Sequence, residues 1–156
     1  IRYGELYTEY NETIKKTVSR TNLKSDDLSI SQYNDIIIPS SGETAIDIAT
    51  ASCVLKEGIA LGGDLNIIRT KQNGIFLSYY FNNAKKFDIA KLAQGSSVIH
   101  LYSVHLKFLK INLPSLKEQT KTANFLSSLD KKIELTDKEL EATKAFKKGL
   151  LQKMFI

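Results

Sequence analysis

A single cysteine, Cys53, leaves the chain without an internal disulfide or a thiolate metal cluster, and makes a reducing cytoplasm the default compartment. Long apolar runs are missing too: none approaches the ~18 residues a membrane span needs. No initiator methionine and no basic–apolar leader precedes Ile1-Arg2-Tyr3, which reads as a piece of a longer protein. Two histidines, His100 and His105, lack metal-ligand spacing such as H-x-x-x-H. No pattern of nucleophile, base and orienting acid is present, and Cys53 sits in an apolar strand pattern that predicts a buried, inert thiol. Nothing in the spacing of Asp35, Glu43 and Asp64 demands that they converge on a magnesium ion. The chain is therefore expected to carry no cofactor, no metal and no catalysis of its own.

What is present is charge of both signs with a basic excess. The net charge is +5 and the pI about 9.2, which suits a polyanionic partner. Residues 1–114 hold 13 Lys/Arg against 11 Asp/Glu, and residues 115–156 hold 9 against 6. No segment is a basic tail, so a nucleic-acid site must be assembled by folding or shared with another subunit. At 156 residues the chain is one domain plus an appendage, or two small units.

Short strands dominate the first two-thirds. Asp35-Ile36-Ile37-Ile38-Pro39 is a β-branched run stopped by proline, the pattern of a buried strand. Further strands are expected at Ala51–Leu55, at Ile59–Leu61, at Asp64–Arg69 after the Gly62-Gly63 turn and at Phe108–Leu113, and the polar loop Gln94-Gly95-Ser96-Ser97 leads into Val98-Ile99-His100-Leu101. Phe76, Leu77, Tyr80 and Phe81 mark one face of a helix, and Ala84–Ala93 forms a second. Residues 1–34 are polar and carry no clear period, although Asp26-Asp27-Leu28 after Ser25 can start a short helix or a turn. The pattern is α+β, a small mixed domain without clean βαβ alternation.

The last third is one long helix. Ser115 followed three residues on by Glu118 is a capping box, and Pro114 just outside it stops the preceding segment. A heptad seam runs through Leu126, Leu129, Ile133, Thr136, Leu140, Thr143, Lys147, Leu150 and Met154. Residues 1–114 are too few to cover such a helix along its length, so it wants a partner helix of its own shape. Residues 1–112 are thus expected to form the domain and residues 113–156 a long helix that pairs with another helix.

Two loops of small polar residues could carry recognition. Ser40-Ser41-Gly42-Glu43-Thr44 follows a strand but lacks the lysine and glycine spacing of a nucleotide-binding loop. Short hydroxyls beside glycine can instead approach DNA phosphates or base edges. Gln94-Gly95-Ser96-Ser97, leading to His100 and Tyr102, has the same character, since glutamine can read adenine with two hydrogen bonds.

These loops also carry a resemblance. Asn34–Thr44, Leu61-Gly62-Gly63-Asp64-Leu65-Asn66-Ile67-Ile68-Arg69, Ala93–Leu101 and Ile111-Asn112-Leu113-Pro114-Ser115-Leu116-Lys117-Glu118-Gln119, taken in order, resemble the target recognition domain of type I restriction–modification specificity subunits. The ending, from Phe125-Leu126-Ser127-Ser128-Leu129 to Lys153-Met154-Phe155, resembles the family's helical spacer. The resemblance implies half of a specificity subunit, the C-terminal half, with no catalysis of its own. It would read one half of a split double-stranded DNA target and dock methyltransferase subunits and, through them, restriction subunits. One recognition domain and one helix imply a homodimer through that helix, paired as an antiparallel coiled coil and reading a symmetric split site. The residues it points to are Ser40, Ser41, Glu43, Thr44, Gln94, Ser96 and Ser97. Arg2, Tyr3, Arg69, Lys71, Lys91 and His100 follow as candidates for phosphate or base contact. Two other readings compete: an adaptor that pairs through its helix without binding DNA, and a nuclease domain.

Overall fold

The computed structural model describes residues 1–23 and 28–155. The turn or short helix expected at Asp26-Asp27-Leu28 rests mostly on residues outside that set. Two compact units are distinguished, Ile1–Thr120 and Lys121–Ile156.

The first unit is built on a four-stranded sheet. Its strands are β1 (Thr13–Ile14), β3 (Asp35–Pro39), β5 (Ser52–Val54) and β7 (Leu65–Ile68), in the order β1-β5-β3-β7. β1 runs parallel to β5, while β3 lies antiparallel to both β5 and β7. The central position of β3 explains its sequence. A strand sends alternate side chains to opposite faces, and Ile36 and Ile38 enter one core cluster while Ile37 enters the other. A run of three isoleucines is what burial on both faces requires. The first cluster collects Leu77, Phe81 and Ile89 from α3 (Gly74–Asn82) and α4 (Lys86–Ala90), together with Ile48 of α2 (Ala45–Ile48). The second joins Ile37 to Ile1, Leu6, Ile14, Val54 and Leu61. The expected α+β class is borne out, as are strands at 35–39, within 51–55, within 59–61 and within 64–69.

Residues 1–34, which carry no legible period, hold α1 (Glu5–Thr8), β1 and β2 (Ser29–Ile30), the last paired with β6 (Ala60–Leu61). Polar side chains fix this region. Glu5 is buried, with Arg2 Nε at 2.9 Å, the Arg2 amide at 3.1 Å and the Ser19 hydroxyl bonded to its carboxylate. Burial opposes its charge, but the Ser19 hydroxyl and the Arg2 amide and guanidinium outweigh that and lower its pKa from 4.5 to about 2. A depressed carboxylate stabilises the fold above its unfolded pKa and loses that contribution as pH falls through the folded value. Glu5→Gln should therefore flatten the fall in stability between pH 4.5 and about 2, as read by denaturant midpoints across that range.

The strand expected at Phe108–Leu113 is not there. α5 (Ser103–Leu106) ends just before it, and residues 107–115 form an irregular connection to the long helix. Leu106, Leu109 and Leu113 pack on the first core cluster. Core packing by these three side chains holds the segment down without a ladder, and among the described residues no strand pairs with them.

The long helix α6 (Leu116–Met154) is 39 residues, about 58 Å at 1.5 Å per residue. Its start is the capping box read from sequence: the Ser115 amide donates to Glu118 Oε2 at 3.0 Å, and the Glu118 amide donates to Ser115 Oγ at 3.4 Å. One turn in, the buried Gln119 side chain anchors this start. Its Oε1 accepts from the Asn73 amide at 3.1 Å, while its Nε2 donates to Gln72 Oε1 at 2.7 Å and to the Pro114 carbonyl at 2.9 Å. Asn73 is itself the N-cap of α3, accepting from the Phe76 amide at 2.9 Å. Beyond Thr120 the helix is almost wholly exposed, Ile133, Leu140 and Met154 included.

Candidate nucleic-acid interface

The two polar loops meet. Within Ser40–Thr44 lies β4 (Ser41–Gly42), which pairs antiparallel with β8 (Ile99–His100), Ser41 opposite His100 and Gly42 opposite Ile99. The second loop closes on itself, the Gln94 amide donating to the His100 carbonyl at 2.8 Å and the His100 amide to the Gln94 carbonyl at 2.7 Å. The Leu101 amide donates to the Ser40 carbonyl at 2.9 Å, the Ser40 amide to the Asp64 carbonyl at 2.8 Å, and buried Asn66 Nδ2 to the Leu101 carbonyl at 2.8 Å. Both loops therefore hang from one end of the central sheet, where β3 ends and β7 begins.

Two residues outside the loops complete this framework, and a glycine within them shapes it. Tyr7 donates its hydroxyl to the Ser41 carbonyl at 2.9 Å, and burial pushes its pKa up to about 12, so it remains a donor. Asn66 is the second, through its bond to Leu101. Gly95 has φ +130°, and a Cβ there would lie 2.1 Å from the Val98 carbonyl oxygen. Only glycine closes this loop without a clash. Neither Tyr7 nor Asn66 is among the site residues expected from sequence, although Tyr7 is one of several tyrosines near the start of the chain. An asparagine inside the strand Leu65–Ile68 was the one available signal.

The candidate side chains separate by exposure. Glu43, Gln94, Ser96 and Ser97 are exposed, Ser40 is half-buried, and Ser41 is buried, leaving it a structural place in the ladder. Thr44 is exposed, but its hydroxyl caps α2, accepting from the Asp47 amide at 3.1 Å and donating to Asp47 Oδ2 at 2.6 Å. His100 is half-buried and stacks on Tyr102 with centroids 6.0 Å apart. Lys91 is exposed at the C-cap of α4, three residues before Gln94. Tyr3 meets Tyr7 edge-on at 6.4 Å, which links it to the Ser41 loop.

Others are placed elsewhere or already engaged. Arg2 is tied to Glu5 and donates to Ser19 Oγ at 3.1 Å. Arg69 sits at the far end of the sheet, bonded to buried Asp35 at 3.1 Å and to the Ile30 carbonyl at 3.0 Å. Lys71 is exposed just beyond it. Asp35 is thus at one end of β3 and Glu43 past the other, so these carboxylates do not converge. Among the described residues no group of three or more His, Cys, Asp or Glu is placed to hold a metal ion. Cys53 is buried, and burial pushes its thiol up to about 12. What the arrangement offers is a rim of exposed amide, hydroxyl and carboxylate groups on a braced framework, able to donate and accept hydrogen bonds.

Comparison with known proteins points the same way. The family model described as "Type I restriction modification DNA specificity domain" matches residues 1–145. The putative type I restriction enzyme MjaX specificity subunit of Methanocaldococcus jannaschii is 36% identical over 101 residues, covering 60% of this chain and 23% of that relative. The type I restriction enzyme MjaVIII specificity subunit of the same organism is 27% identical over 157 residues, covering 98% of this chain and 35% of that relative. The chain thus spans about a third or less of the length of these curated relatives.

Proposed function

Since the chain belongs to the type I restriction–modification DNA specificity domain family, we propose that residues 1–112 read one half of a bipartite DNA target through the joined loops Ser40–Thr44 and Gln94–His100. The observation that carries this is the β4–β8 ladder. It converts two stretches 50 residues apart into one surface presenting Glu43, Gln94, Ser96 and Ser97. Amide and carboxylate side chains of this kind match base edges: glutamine reads adenine, and glutamate accepts from cytosine. Residues 113–156 act as the spacer, pairing antiparallel with the helix of a second copy and docking methyltransferase subunits, which bring restriction subunits. The chain itself is a recognition component that acts in the cytoplasm.

Two measurements test this. The isolated chain should bind double-stranded DNA with an affinity that falls steeply with salt, as phosphate contacts require; no retention even at low salt favours the adaptor reading. In a cell carrying the intact system, substitution of Glu43, Gln94, Ser96 and Ser97 together should change the methylated sequence on the half-site this domain reads. An unchanged methylation pattern overturns the assignment of recognition to these loops.

A further inference from the structure

Residues 89–117 contain Lys91, Lys107, Lys110, Lys117 and both histidines, and no aspartate or glutamate. In a chain with 17 acidic residues this is the longest stretch free of them. It runs from α4 through the second polar loop, β8 and α5 to the start of α6, and its apolar residues divide into two sets. Leu101 is buried, and Leu106, Leu109 and Leu113 pack on the core. Val98, Tyr102, Val104 and Phe108 instead lie out at 52%, 51%, 55% and 75% exposure, with Lys107 and Lys110 exposed among them.

Tyr102 is held in place at the surface. His100 stacks on its ring at 6.0 Å and 26°, and His105 meets it edge-on at 5.6 Å and 84°. A braced ring loses little freedom when something covers it, which is the condition for a binding residue rather than a mobile surface side chain. The charge of the stretch selects the occupant. Double-stranded DNA sets apolar sugar faces and base edges between two rows of phosphates, so aromatic rings flanked by lysines match it on both counts. The stretch is also continuous with the ladder that joins the two recognition loops, His100 being the residue opposite Ser41.

We propose that the segment Tyr102–Lys110 is a second arm of the DNA surface, with Tyr102 and Phe108 packed against sugars and base edges in a groove and Lys107 and Lys110 on the flanking phosphates. This rests on the recognition reading above and adds to it residues that the loops do not contain.

The test uses the intact chain and a fluorescently labelled random-sequence duplex, titrated across a salt series. Lys107→Gln with Lys110→Gln should lower the slope of log affinity against log salt by about 1.8, close to 0.9 for each phosphate no longer neutralised. Tyr102→Ala should weaken binding about tenfold with the slope unchanged, and Tyr102→Phe, which keeps the ring, should stay within about twofold of the parent. Should Tyr102→Ala fail to fold, the lysine slope decides alone. If the parent binds and the double lysine variant keeps both slope and affinity, the second arm is overturned while the recognition reading stands. A parent chain that binds no duplex at low salt overturns both. Variants that keep duplex affinity but change self-association mark the face as a protein contact, and the proposal fails.

Discussion

A Gly95→Ala chain should keep its central sheet and lose at least tenfold in duplex affinity. The reason is local geometry. At φ +130° an L side chain is strained whatever the space available, and here the space is absent as well. The added methyl would lie 2.1 Å from the Val98 carbonyl oxygen and 3.1 Å from its carbon, and both are backbone atoms that cannot rotate away. The loop must open, and with it go the two hydrogen bonds of 2.8 and 2.7 Å between Gln94 and His100. His100 is also the residue that pairs with Ser41, so the damage crosses to the other loop. Hydrogen exchange should show fast amides at Gln94 and His100, with protection kept at Ile36 and Ile37. Gly63→Ala supplies the control, because no atom lies within 4 Å of a Cβ there. A Gly95→Ala chain with slow amides at 94 and 100 and full affinity would remove the ladder from the recognition surface.

How much of this was legible in the sequence depends on how far apart the interacting residues stand. Ile36-Ile37-Ile38 could be read directly, because burial on both faces of a strand leaves an unbroken β-branched run. The start of the long helix could be read for the same kind of reason: the Ser115–Glu118 pair lies three residues apart and acts locally. The joining of the two loops could not. A ladder of two residues per strand has no period to detect, and its hydrogen bonds link Ser41 to His100 across most of the domain. The same applies to Arg69, whose charge suits a phosphate when read alone; its partner, Asp35, is 34 residues away and buried. The error at Phe108–Leu113 is of another kind. Leu109, Ile111 and Leu113 alternate as a strand would, yet Leu109 and Leu113 pack on the core while Phe108 and Ile111 are exposed. An alternating pattern makes a strand only where another strand offers it a ladder, and that is a tertiary fact.

The second large effect concerns the helix. If the helix pairs two copies as proposed, Ile133→Glu with Leu140→Glu should leave a monomer, with a loss of more than a thousandfold in dimer affinity. Both side chains are about half exposed or more, at 59% and 49%, so their replacement leaves the unit Ile1–Thr120 intact and acts on association alone. A buried side chain of this size contributes about 1.5–3 kcal/mol, and each dimer would lose four, about 6–12 kcal/mol in all, which exceeds the roughly 4 kcal/mol of a thousandfold change in affinity. The seam's polar positions sharpen the geometry. Thr136 and Thr143 donate their hydroxyls to the Lys132 and Glu139 carbonyls of their own helix, at 3.0 and 2.8 Å, and so need no polar partner across the seam. Lys147 is then the one seam residue whose charge must be accommodated. In one antiparallel register Lys147 lies against Leu129 of the second copy; one heptad along, it lies against Thr136, with Leu129 against Met154 and Ile133 against Leu150. The second register keeps the large apolar side chains together, and it is the one we expect. Mixing a Leu129→Cys chain with a Met154→Cys chain under mild oxidation should give the crosslinked pair, while Leu129→Cys alone should not crosslink to itself. Cys53 does not interfere, since it is buried with its thiol pushed up to about 12. Self-crosslinking of Leu129→Cys indicates a parallel pair, and a monomer at tens of micromolar in sedimentation removes the dimer and the symmetric split site with it.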